Sequence, residues 1–136
     1  MNGRQFLDLA REVIAGATEL HWRGAAIHAY YALFLECRDA QIRWGFTTPQ
    51  RHNAHAPVRL RFLYSTEADL KQMGRILENL GRLRNLASYD LTTRTEFLSD
   101  HDATLAIQDA DDMLALLDAI EADPARLAAA IASICP

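Results

Sequence analysis

Arg84, in the tract Leu83-Arg84-Asn85-Leu86-Ala87-Ser88-Tyr89-Asp90, is the residue of this chain with the clearest chemical capacity. At helical spacing it shares a side with Leu77, Leu80 and Ala87, so a permanent charge lies beside an apolar stripe. A guanidinium does not shed its proton, and a charge drawn inward must find a carboxylate, backbone carbonyls or a phosphate. Two readings stay open: Arg84 contacts the phosphate of a ligand in a cleft, or it forms an internal ion pair with Asp90, Asp109 or Asp111. Asn85 could orient Arg84 or a substrate, and Tyr89 could offer its hydroxyl to a phosphate or simply pack at a helix end.

Upstream, the tract Ala25-Ala26-Ile27-His28-Ala29-Tyr30-Tyr31-Ala32-Leu33-Phe34 puts Tyr31 and Phe34 on one side of a second helix. Aromatic residues at this spacing build a core; base stacking is the competing role for Tyr30 and Tyr31. His21, His28, His52, His55 and His101 include no i,i+4 pair on a clear helix and no acidic partner at metal-ligand spacing, so neither a metal nor a cofactor is expected. Asp109, Asp111 and Asp112 read as a solvated helix face. Ser65, Ser88, Ser99 and Ser133 lie outside any nucleophile-elbow pattern, and no glycine-rich phosphate loop is present.

The elements that must position these groups are helical. Phe6, Leu7, Leu9, Ala10, Val13, Ile14 and Ala17 recur at three- and four-residue intervals and predict a helix over about 3–19. A break at 20–24 leads into a second helix over about 22–44, stopped by Gly45. Residues 46–57 form the longest irregular stretch and are expected at the surface and mobile; an apolar piece over about 54–64 reads as a short helix, with a strand as the alternative. Thr66-Glu67-Ala68-Asp69 resembles a capping box opening a helix that runs to about Ser88 through Leu70, Met73, Ile76, Leu77, Leu80 and Leu83. Ser99-Asp100-His101-Asp102 repeats that pattern before a helix with Ala103, Ile107, Ala110, Leu114, Leu117 and Ile120 on one face. Asp123-Pro124 starts a short terminal helix over about 124–134. Together these predict an all-α, up-and-down bundle of four long helices plus short ones, forming a single domain over 1–136.

Composition narrows the function classes. Half of the 136 residues are hydrophobic, whereas Gly (6) and Pro (4) are scarce, which favours one helical core over sheets and turns. A net charge of −4 argues against holding duplex DNA on a broad basic surface, although a local arginine patch is compatible with it. Lys71 is the sole lysine among 14 basic residues, a bias that suits phosphate or carboxylate recognition and that a GC-rich genome produces equally well. Cys37 and Cys135 make no CxxC or disulfide framework. The N-terminus has no apolar signal core and no apolar run reaches membrane-spanning length, so a cytoplasmic protein with no membrane partner is expected.

The two tracts carry a resemblance. Ala29-Tyr30-Tyr31-Ala32-Leu33-Phe34 resembles the "RAYYAxF" helix of HEPN-domain proteins, and Arg84 to Asp90 resembles their "RxxADYD" tract. Between them His55 with Phe62 looks like the family's "H…F" element, and Ala106-Ile107-Gln108-Asp109-Ala110 through Leu117 is similar to its final "AxxAxxFL" helix. The order and spacing agree over about residues 3–121. The resemblance implies an all-α bundle that forms a homodimer, RNA- or nucleotide-related roles, service in toxin–antitoxin or defence systems, and a nucleotidyltransferase-fold partner protein. In active members it implies a metal-independent ribonuclease site, an arginine followed by a polar residue and then a histidine about four to six positions beyond the arginine. Arg84 and Asn85 match the first two places. The third does not match: the residues there are Ser88, Tyr89 and Asp90, and an unperturbed phenol, titrating near 10, is a poor base at neutral pH. The arginine before "AYY" is replaced by His28. The catalytic set implied here is therefore Arg84, Asn85 and Tyr89, with a loop histidine, His52 or His55, as the other source of an imidazole. A non-catalytic interaction module or antitoxin-like subunit is the competing class.

Overall fold

A computed structural model describes residues 2–48 and 55–134. Helices α1 (Gly3–Ile14), α2 (Glu19–Arg43), α3 (His55–Leu63), α4 (Ala68–Tyr89), α5 (His101–Ala122) and α6 (Pro124–Ala132) are joined by turns, with a 3-10 turn at Thr95–Phe97 between α4 and α5. Among the described residues there is no strand, so the apolar piece after residue 54 is the helix α3. Val58 and Phe62, four residues apart, are fully buried from it. Pro57 falls in its first turn, where the missing N–H breaks no hydrogen bond. Most of the irregular stretch expected before it, together with His52 and Cys135, lies outside the described residues.

Helix α2 is the centre of the bundle and packs against α1, α4 and α5. Its buried residues, among them Ala25, Ala29, Tyr30, Leu33, Phe34 and Cys37, face more than one direction, which is what a surrounded helix requires. Leu7 and Ala10 of α1, Leu70, Leu77 and Leu80 of α4, and Leu114, Leu117 and Ile120 of α5 close around it. The Cys37 thiol is fully buried and pushed far up by desolvation, a packing residue with no thiolate to offer.

The boundary between the first two helices departs from expectation. α1 ends at Ile14, and the stretch 20–24 read as a break is the opening of α2. The turn is made earlier: Gly16 is covered by the ring of His21, whose Nδ1 shares a 2.6 Å hydrogen bond with Thr18 Oγ1. Gly24, a helix breaker by propensity, sits inside α2 facing Val13. At the other end of α2, Gly45 adopts φ +94°, with Gly45 N–H donating to Ile42 O (3.0 Å) and Phe46 N–H to Gln41 O (2.9 Å). That paired bonding satisfies the last carbonyls and is the stop predicted from the sequence.

The caps follow the expected positions within a residue. Asn2 and Gln5 form a reciprocal capping box on α1. Glu67, not Thr66, caps α4 by accepting from Leu70 N–H (2.9 Å). Asp100, not Ser99, opens α5, while Ser99 Oγ accepts from His101 N–H (3.2 Å). Asp123 caps α6 through Ala125 and Arg126 N–H, with Pro124 at the first helical position, as its sequence required.

Candidate functional site

Three helices contribute to one cavity of about 300 Å³: Tyr30 from α2, His55 and Arg59 from α3, and Glu78, Gly81, Arg82, Arg84 and Asn85 from α4. The position of α3 is fixed by polar and steric contacts. Gln41, buried in α2, donates through Nε2 to Val58 O (2.9 Å) and accepts from Arg61 (2.9 Å), which in turn donates to Thr47 O. On the opposite side α3 lies so close to α4 that a Cβ on Gly74 would stand 2.5 Å from Leu63 N. Only glycine permits that approach. His55 is delivered by this docking: its ring stacks on Phe34 (centroids 4.3 Å apart, 14° between planes), and its Nδ1 shares a 2.5 Å hydrogen bond with the Tyr30 hydroxyl.

Arg84 reaches back across the bundle. Its Nη2 donates to the Tyr31 hydroxyl (2.6 Å) and its Nη1 to Asn85 Oδ1 (3.0 Å), while Nε is buried without a hydrogen-bond partner among the described residues. Its guanidinium carbon lies 5.3 Å from the centre of the Tyr31 ring, 5.8 Å from Tyr89 and 6.0 Å from Tyr30. The aromatic faces favour a cation there without neutralising it. The ion pair with Asp90, Asp109 or Asp111 is not formed: Asp90 pairs with Arg94 (3.3 Å), Asp111 pairs with Arg11 (3.2 Å), and Asp109 makes no ion pair among the described residues. Burial, with Asp112 nearby, pushes the Asp109 carboxyl upward, opposite to the effect of an arginine partner.

The expected residues separate in the structure. Arg84 and Asn85 share the cavity and a hydrogen bond. Tyr89 is 75% exposed and lies off the cavity wall, its ring against Arg84. Tyr30, read mainly as a core residue, is both core and wall. Its hydroxyl is pushed up to about 12, first by burial, with Arg84 and then Arg59 as the charges that oppose the rise. His28 is half-buried near Phe6; burial lowers its pKa, and among the described residues its Nδ1 has no hydrogen-bond partner.

Sequence reasoning missed Arg59 and Arg82 as cavity residues. Arg59 lies on a helix too short to reveal a face by periodicity, and its Nε is also buried without a partner. Arg82 lies on the outer side of α4, 3.8 Å from Glu78. It also missed Arg23, which fell in the stretch read as a break. Only 7% exposed, Arg23 donates to the carbonyls of Leu86, Ala87, Asp90 and Thr92 and to Glu19, and covers the Phe97 ring at 4.6 Å. It thereby ties off the C-terminus of α4, whose last carbonyls have no partner within the helix.

Chemically, the cavity offers two guanidinium groups, Arg59 and Arg84, without a carboxylate partner among the described residues, the Arg82–Glu78 pair, an imidazole with a fixed neighbour, and a side-chain amide. Such a set is suited chemically to a phosphate or another compact anion. Among the described residues no group of three His, Cys, Asp or Glu could hold a metal ion, and no helix is long and apolar enough to cross a membrane. No family model matches the chain, and no curated protein or solved structure matches it significantly.

Proposed function

We propose that this chain is a HEPN-like, RNA- or nucleotide-associated component of a toxin–antitoxin or defence-type system. It acts as a homodimer with its four long helices in up-and-down order, and is open to a nucleotidyltransferase-fold partner. The observation that carries the reading is the cavity in which Arg84 and Asn85, the two residues matched to the family tract, meet His55, matched to its "H…F" element. Arg84 steadies a phosphate there, Asn85 holds the guanidinium, and the imidazole supplies the proton-transfer group that Tyr89 supplies poorly. In an active enzyme the reaction is metal-independent RNA cleavage: the 2′-oxygen bonds to phosphorus as the 5′-oxygen leaves, with a base taking the 2′ proton and an acid returning one to the leaving oxygen.

A second reading, a non-catalytic interaction module or antitoxin-like subunit, is favoured by one observation: Ser88, Tyr89 and Asp90 occupy the place of the family's histidine. Incubating purified protein with RNA in EDTA separates the two. Cleavage that survives EDTA and disappears in Arg84→Ala supports the ribonuclease; RNA binding without cleavage supports the module; neither binding nor cleavage removes the RNA association. Light scattering tests the dimer, which a monomer at micromolar concentration would exclude.

A further inference from the structure

On the reading that the ligand is RNA or a nucleotide, the charges of the cavity bear on the kind of phosphate it accepts. Arg59 and Arg84 approach it from different helices. Among the described residues neither pairs with a carboxylate, and the buried Nε of each lacks a hydrogen-bond partner. Both line the cavity that Tyr30 also borders. Glu78 is the acidic residue of the lining, and Arg82 stands beside it at 3.8 Å. The folded chain therefore presents two like charges to one cavity, an arrangement that an anion bound there would relieve.

The charge to be matched selects the anion. An internal phosphodiester carries one negative charge, whereas a phosphomonoester carries about −1.5 to −2 at pH 7 and presents three strong acceptor oxygens. The cavity, about 300 Å³, is at the lower end of the ~300–1,000 Å³ range of small-ligand pockets, a size that suits a chain end better than a strand passing through. We infer that the cavity is a receptor for a terminal phosphomonoester, that of a nucleotide or of an RNA end, gripped between Arg59 and Arg84.

The test compares one short RNA carrying a 5′-phosphate, a 3′-phosphate or neither, together with AMP, titrated into the full chain at pH 8 and followed by calorimetry. At least one phosphorylated end is expected to bind about tenfold or more tightly than the unphosphorylated RNA. Arg59→Gln should bring the phosphorylated RNA down to the unphosphorylated level, at a melting temperature close to wild type. AMP binding as tightly as the RNA end also supports the inference and identifies free nucleotide as the source. Equal affinity for phosphorylated and unphosphorylated RNA, or a preference that survives Arg59→Gln, overturns the inference and leaves RNA association standing. Binding of none of the probes overturns both.

Discussion

Arg23 of α2 brings a guanidinium to the end of helix α4 and Arg84 of α4 extends one towards α2, and their surroundings differ in the way that separates a structural charge from one available to a ligand. Arg23, at the closed end, spreads its donors over four backbone carbonyls and the Glu19 carboxylate. Arg84, about one turn before the end of α4, has a phenol oxygen and an amide oxygen, an unpartnered Nε, and a cavity in front of it. The first guanidinium is saturated by the fold; the second keeps hydrogen-bonding capacity and charge in reserve. Proximity of an arginine to an apolar stripe is thus no guide to its role. The number of its donors that the chain itself consumes is the better one.

The largest expected effect is at the saturated site. Arg23→Ala should destabilise by about 3 kcal/mol or more, because several carbonyls at the end of α4 lose their donor together. Chemical denaturation measures it, and a wild-type midpoint would break the comparison. Gly74→Ala is expected to cost about 2 kcal/mol, since its Cβ would run into the Leu63 backbone and push α3 away from α4. Because α3 carries His55 and Arg59, RNA binding should weaken with it; unchanged binding in a destabilised Gly74→Ala would show that α3 is not part of the site.

A smaller effect concerns the Tyr30 phenol at the cavity. The Tyr30 pKa in the folded chain is raised to about 12, so the native state holds that proton more tightly than the unfolded chain does. The resulting stability is present below pH 10 and is lost as pH rises through 12, amounting to about 1.4 kcal/mol by pH 11. Urea titrations of wild type and Tyr30→Phe at pH 8 and pH 11 isolate it: wild type should lose that much more than the variant. An equal loss in both would mean that Tyr30 is not held in a desolvated place.

Much of the fold was legible because it rests on local periodicity. The buried residues of α4 and α5 fall largely where three- and four-residue spacing put them, although Met113 and Ala106 are buried as well and Ile107 only partly. The α1–α2 junction was not legible, because Gly24 signals a break that tertiary packing against Val13 overrides. In the site, Arg84 and Asn85 were visible from the tract they belong to. His55 and Arg59 were not placed, since their positions depend on the docking of α3 through Gln41 and Gly74, a long-range arrangement that leaves no spacing in the chain. Tyr89 is placed by helical spacing near Arg84, with most of its side chain in solvent.

The central claim, that Arg84 is held in reserve for a phosphate, is tested most directly by measuring RNA affinity and melting temperature together in Arg84→Ala and Arg84→Lys. Arg84→Ala removes hydrogen bonds to Tyr31 and Asn85 worth about 1 kcal/mol in a partly exposed place, so the fold should persist while binding is lost. Arg84→Lys keeps the charge without the planar fork and should bind between the two. Wild-type affinity in both variants, or a loss of binding that only follows a collapse in melting temperature, would contradict the account.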